Sequence, residues 1–259
     1  MAVWHIAVKK IKTMLLNPVM MLILVGLPLF QMFIMKTILG SFNVDNSGQK
    51  AEGFVEVTLV GLKISLTSLN AASTLVQFLL VTGVIGASLF IQEREKNILV
   101  RIFSVPVRKS HIVLGNLIGQ VLVTALVAAV IITLSRIALG IDWGESWLGV
   151  FVVTLFVLYV STALGFIFSG LFRSFKVANG VMIFLIMFMT FLSGGFSLDE
   201  QFDATSRFTI NKWAFDAYAK LMDGQPIWNV VTNLAVLAVI GTVLLIAACI
   251  VNRRENIYE

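Results

Sequence analysis

Few residues in this chain can break or make bonds, and they are poorly placed to act together. His5 and His111 are the only histidines in 259 residues, and Cys249 is the only cysteine. A serine–histidine hydrolase working inside a membrane needs the imidazole within reach of the hydroxyl. Both histidines read as lying at one membrane edge, and Ser193 near the other. No His-Glu-x-x-His sequence offers zinc two ligands on one helix face. A lone cysteine excludes an intrachain disulfide and a thiolate cluster. No Gly-x-x-x-x-Gly-Lys-Ser/Thr loop is present to cradle a nucleotide, so the chain is not expected to hydrolyse ATP alone. Glu93-Arg94-Glu95-Lys96 is the densest run of charge, alternating in sign.

The elements that must carry these residues are membrane helices. The composition is 58% hydrophobic and 13% charged, where a soluble domain has roughly a quarter charged. Mean hydropathy is +0.95. These values exclude a soluble enzyme, a disordered regulator and a nucleic-acid module. The net charge of +5 suits a membrane protein with basic cytoplasmic loops. Crossing about 30 Å of hydrocarbon takes roughly 20 helical residues. Six uncharged runs approach or exceed that: Pro18–Met35, Ile64–Gln92, Ile112–Ser135, Ser146–Phe172, Val177–Leu198 and Gln225–Asn252. Backbone amides in lipid must bond within their own segment, so such runs are helices. A membrane barrel would show short alternating segments instead. The expected fold is all-α and polytopic, a single transmembrane domain over 1–259. Its spans are placed at 18–39, 70–92, 112–135, 146–172, 177–196 and 227–251.

Lys and Arg set the orientation. With the N-terminus in the cytoplasm, 12 basic residues lie inside and 7 outside, while acidic residues divide 4 to 10. Both asymmetries favour cytoplasmic N- and C-termini in the cell membrane. Lys9–Lys12 followed by an apolar run resembles a secretory signal. But Pro18–Met35 is long for one, and no small-x-small cleavage site follows closely, so span one is expected to be retained.

Residues 2–16 form a basic amphipathic elbow helix. Trp4, Ala7, Val8, Ile11, Met14 and Leu15 share one face; His5, Lys9 and Lys12 share the other. Two roles fit: a headgroup-level anchor, or an anchor that also touches a cytoplasmic partner. The first outer loop, from Gly40 to about Lys63, alternates only weakly at Phe54–Leu59 and is assigned no structure. Residues 197–224 are expected to hold two short helices at the outer leaflet. Ser197-Leu-Asp-Glu200 reads as a capping box. A second helix starts near Asn211, with Ile210, Trp213, Ala214, Ala217 and Leu221 in a stripe, and Gly224 and Pro226 stop it.

Residues 93–111, between spans two and three, stand apart. They are too long for a tight turn and too apolar for a solvated loop. Ile98, Leu99, Ile102 and Phe103 recur at helical spacing, and Pro106 ends that helix. An interfacial helix shielding the bundle and a docking helix for a soluble partner both fit. This segment is similar to the signature of membrane subunits of ATP-binding-cassette (ABC) type-2 exporters. That signature is an acidic pair, Gly-Thr, Leu, Pro, then an apolar stretch ending Gly-Lys. The matches are Glu93, Glu95, Leu99, Pro106 and Gly115. Asn97 and Ile98 stand where Gly-Thr is usual, and Asn116 stands where Lys is usual. The six spans and elbow helix have the same layout as that family.

The resemblance implies a permease subunit that pairs with a second copy or a sister permease. Each half engages a separate cytoplasmic ABC ATPase. The partner binds ATP and Mg, and no cofactor is expected in this chain. Glu93, Arg94, Glu95, Lys96, Leu99 and Pro106 would form the ATPase contact, and Trp4, Lys9 and Lys12 mark the elbow helix. Membrane lipids are the other expected partner, and nucleic acid is not one.

No span carries a charge near its centre, which weighs against an ion-coupled pump. No similarity relates the two three-span halves, which weighs against an inverted-repeat transporter. Lys36, Lys63 and Arg136 read as snorkelling to headgroups or, alternatively, as a basic outer ring. Asn70, Gln77, Asn116, Gln120, Asn179 and Asn233 suit interhelical hydrogen bonds. Asn70 and Gln77, with Phe188 and Met189 of the aromatic- and methionine-rich span five, are the candidates for a substrate path. Gly83-x-x-x-Ala87 and Gly165-x-x-x-Ser169 permit close helix packing. An amphipathic or hydrophobic cargo, such as a lipid, peptide or drug, is the expected substrate. A non-transporting scaffold or immunity/assembly factor is the alternative. A passive channel is disfavoured, because no ring of polar pore residues is evident.

Overall fold

The computed structural model describes residues 2–42, 56–59, 62–96, 109–172, 174–193, 206 and 209–254. Among them six helices are long and apolar enough to cross a membrane. The protein is an all-α polytopic membrane protein. The elbow helix is Ala2–Leu15. Span two is Leu66–Glu95, span three Lys109–Leu139, span four Trp147–Leu171 and span five Phe175–Leu192. Span six opens with a 3₁₀ turn, Ile227–Val230, and continues as Val231–Arg254. The side bearing the elbow helix is called the near side below, and the other the far side.

Span one is a compound helix: Pro18–Met21, a π-turn at Leu22–Gly26, then Leu27–Phe42. Asn17 starts it, its Oδ1 accepting from Val19 N (3.1 Å) and Met20 N (3.3 Å) ahead of a proline at the first helical position. In the π-turn the Leu27 amide bonds back five residues to Leu22 O. Pro28 follows one residue later, where it has no amide to give.

Before span two, Glu56–Leu59 pairs antiparallel with Leu62–Ser65, Glu56 opposite Ser65. Four-residue strands hold too few alternations to show in the sequence. Ser65 then caps span two, its Oγ accepting from Ser68 N at 3.1 Å. The Ser197–Glu200 capping box and the amphipathic run Ile98–Phe103 lie outside the described residues.

Span two is the centre of the bundle. Ala71 to Gln77 are buried without a break, and the helix packs on spans one, three, four and five. Its seam with span four is made by the two small-residue patterns, which face each other within this one chain. A Cβ on Gly165 would sit 2.7 Å from Gly83 O and 3.0 Å from Ala87 Cβ. Ser161 Oγ donates across the seam to Leu79 O at 2.7 Å. Two of the six polar side chains, Gln120 and Asn179, bond between spans two and three and spans two and five as the sequence suggests. Gln120 Nε2 donates to Thr82 O (2.8 Å), joining spans three and two. Asn179 Oδ1 accepts from Ser88 Oγ (2.7 Å), joining spans five and two.

On the far side, Ile210–Met222 forms a helix whose Ile210, Ala214, Ala217 and Leu221 are buried and whose Trp213 is half-buried. Thr209 caps it, accepting from Lys212 N at 3.3 Å. Tyr218 is fully buried, and its hydroxyl meets Thr154 Oγ1 at 2.8 Å. Thr154 spends its own proton on Val150 O (2.7 Å), so Tyr218 is the donor. Burial pushes the Tyr218 phenol above its ordinary pKa, which keeps that proton in place. Trp143 stands edge-on to Tyr218, ring centroids 6.0 Å apart, and donates Nε1 to Ser135 Oγ at 3.0 Å. Gly144 (φ +82°) turns the chain here, and a Cβ would lie 2.3 Å from Leu221 O. Lys220 and Asn233 bond at 2.9 Å, and Asn211 donates to Thr190, so this helix is tied to spans four, five and six.

Two basic residues expected to snorkel also meet groups of the chain. Lys36 Nζ donates to the Leu139 carbonyl at the end of span three. Arg136 lies over the Trp147 ring, 4.7 Å from its centroid. Both contacts lie at span ends, where the last carbonyls of a helix lack intrahelical partners and an indole face attracts a cation. The Lys63 side chain is outside the described residues.

Candidate functional site: the near-side junction

Three elements meet on the near side: the elbow helix, the end of span two and the base of span five. The elbow helix runs along span three. Gly119 admits it, because a Cβ there would lie 3.1 Å from Ala7 Cα. Ala7 and Met14 are fully buried and Ile11 partly so, as amphipathic spacing suggests. Trp4 is 61% exposed, outside the stripe that packs on span three. Lys9 and Lys12 are exposed as expected.

Lys10 is the residue that sequence reasoning missed. It sits between Ala7 and Met14 on the packed face and is only 9% exposed. Its Nζ donates to Gly86 O of span two at 2.9 Å. Burial pulls its pKa down from 10.5 to about 8, against the opposing pull of Glu93. Beside it lies a cavity of about 30 Å³ lined by Lys10, Gly86, Asn116, Gln120, Thr162 and Ser169. That is room for a water or two. Gln120 Oε1 is buried there without a protein partner among the described residues.

The lowered pKa has a signed consequence. Between pH 8 and 10.5 the free chain holds a proton that the docked lysine has released. Stability therefore rises with pH through that window. Below it both states are charged, and docking bears the cost of desolvating an ammonium. Lys10→Met should raise the melting temperature in detergent at pH 7. It should also abolish the rise between pH 8 and 10.5. A variant that melts lower at pH 7 would show that the Gly86 bond outweighs desolvation.

Glu93 and Glu95 form the last turn of the span-two helix, rather than opening a separate one. Glu93 Oε1 pairs with Lys9 Nζ of the elbow helix at 2.9 Å. Glu95 Oε1 accepts from the Phe175 amide, the first of span five, at 2.9 Å. Arg94 lies in the same turn, and exposed Lys96 follows it. Lys109–His111 are the first residues of span three. Leu99 and Pro106 lie outside the described residues. The acidic pair thus ties the end of span two to two neighbours in its own chain.

With this geometry in place, residues 63–250 match the family model described as ABC-2 family transporter protein. The chain belongs to the ABC-2 transporter family. No curated protein matches it. The ABC-2 match begins just before span two and runs through span six, so it includes the centre of the bundle and the junction's acidic pair. The protein is the membrane permease component of an ABC transporter, a component that works with an ABC ATPase subunit.

In this ABC-2 permease the four residues suggested for a substrate path do not share one surface. Asn70 is half-buried and accepts from Thr74 Oγ1 at 3.5 Å. Gln77 is buried in the centre, its Oε1 unpaired among the described residues. Phe188 is 52% exposed, stacked on Phe184 with centroids 6.2 Å apart. Met189 is half-buried against the core. A signal for Lys10 did exist: it falls three residues after Ala7 and four before Met14, at helical spacing.

Proposed function

We propose that this permease exports an amphipathic or hydrophobic substrate, such as a lipid, peptide or drug. ATP binding and hydrolysis in a separate cytoplasmic ABC ATPase drive it, and that partner holds the nucleotide and Mg. The near side is the cytoplasmic side, because 12 of the 19 basic residues fall there. The observation that carries the reading is the junction itself. The ionised turn Glu93–Lys96 leads directly into the segment that ABC-2 proteins present to their ATPase, and it is bonded to the elbow helix and to span five. Span five leaves Phe184, Met187, Phe188 and Phe191 exposed. Such an apolar, adaptable surface suits hydrophobic cargo or a second permease copy.

The test is purification in mild detergent from native membranes, with co-purifying proteins identified by mass spectrometry. A soluble protein with a phosphate-binding loop is expected at stoichiometric yield. Reversing Glu93 and Glu95 to lysine together should abolish its retention while the permease still inserts. Since Glu93→Lys also faces Lys9, the exchange Lys9→Glu with Glu93→Lys separates the two roles. It restores the internal pair but keeps position 93 reversed. Co-purification that survives the double reversal would remove these residues from the ATPase contact, and no ATPase in several detergents would remove the exporter reading.

A further inference from the structure

We propose that Glu95 works through its oxygen rather than its charge, as a positioning residue that passes movement of the ATPase-facing segment to span five. The proposal rests on the exporter reading above. Glu95 is the final residue of the span-two helix, immediately before that segment. Its Oε1 takes the amide of Phe175, the first residue of span five, 80 positions further along the chain. The first amides of a helix have no partner within it. A residue at the N-cap usually supplies one. Here Ser174 occupies the N-cap and its side chain makes no capping bond. The end of span two does that work instead. Two turns deeper, Ser88 Oγ bonds Asn179 Oδ1 at 2.7 Å, so the lower half of span five is fastened to span two at two heights. Glu93 fastens the same turn to the elbow helix through Lys9. A displacement of residues 93–95 is therefore delivered to two other elements together. The Glu95 link is exposed. Water competes for both groups of an exposed bond, so it can break and reform in a cycle.

Glutamine and alanine separate oxygen from charge. Glu95→Gln keeps an acceptor of the same reach and loses the charge; Glu95→Ala loses both. The readout needs no knowledge of the cargo. An environment-sensitive fluorophore is placed on span five at Val181→Cys, an exposed position, in a Cys249→Ser background. The permease with its ATPase is reconstituted in nanodiscs, and the signal is followed on adding Mg-ATP with vanadate. Because Glu95 also belongs to the proposed ATPase contact, the signal of each variant is normalised to the ATPase it retains. Glu95→Gln should keep the nucleotide-dependent change, and Glu95→Ala should lose about fivefold or more of it, the lower end of ordinary coupling energies. Adding Ser174→Asp to Glu95→Ala gives span five a local cap with no link to span two. It should restore thermal stability but not the signal.

A full response in Glu95→Ala overturns the proposal. So does restoration of the signal by Ser174→Asp, which would reduce Glu95 to a cap. So does a loss of the normalised signal in Glu95→Gln as large as that in Glu95→Ala, which would show that the charge and not the oxygen carries the effect. Absence of any nucleotide response in the parent protein overturns the exporter reading itself.

Discussion

Leucine in place of Gly83 is expected to leave no folded protein to purify. A Cβ at that position would lie 2.0 Å from Ser161 Oγ, 2.6 Å from Ser161 O and 2.9 Å from its carbonyl carbon. Two of those three atoms are backbone, so no rotamer change makes room. The hydroxyl is also held, donating to Leu79 O at 2.7 Å. Spans two and four would have to separate along the seam where Gly165 already rests on Gly83 O. Overpacking a core costs about 1–3 kcal/mol and more when backbones must shift. Folding free energies are on the order of 5–15 kcal/mol, and span two has neighbours on every side, so the loss spreads through the bundle. Gly180 is the control. Nothing lies within 4 Å of its Cβ position, and alanine there removes a mid-helix glycine penalty of roughly 0.5–1 kcal/mol. Size-exclusion profile and melting temperature in detergent check both. A Gly83→Leu protein that is monodisperse and melts with the parent would show that this seam is not where the helices meet.

Trp143→Ala is expected to cost about 3–5 kcal/mol, the range for deleting a large buried aromatic. Trp143 has no exposed surface. Its removal leaves Tyr218 without its edge-on neighbour and Ser135 Oγ without the indole donor. The first loss falls on the far-side helix Ile210–Met222 and the second on span three, so hydrogen exchange in that helix should accelerate before it does in span two. Trp143→Phe keeps most of the apolar contact and drops only the Nε1 bond, a loss of about 1 kcal/mol. Equal melting temperatures for the alanine variant and the parent would overturn this account of how the far-side helix is held.

The spans were legible because lipid imposes one rule on every backbone amide. Uncharged runs of sufficient length then identify helices with little ambiguity. The far-side helix was legible too, from Ile210, Ala214, Ala217 and Leu221 on one face and from Gly224 after its end. What could not be read was who bonds whom. Lys36 looks like an ordinary boundary lysine until Leu139 O is brought beside it. The spacing of Lys10 puts it on the face of Ala7 and Met14, but nothing in the sequence says that its acceptor is a carbonyl 76 positions away. Backbone acceptors carry no sequence signature, so long-range bonds to them are invisible in a single chain. The acidic pair shows the same limit. Its residue types marked it as important, but the types alone did not say that Glu95 completes the start of span five.

The π-turn of span one bears on how that helix is divided. Leu22–Gly26 and Pro28 interrupt the regular ladder between two fixed ends. At one end the elbow helix is clasped to span two through Lys9 and Glu93. At the other, Lys36 is pinned to the end of span three. The irregular stretch of span one thus lies close to the near-side junction, and a regular helix from Leu27 to Phe42 carries the chain from it to the far-side anchor at Lys36.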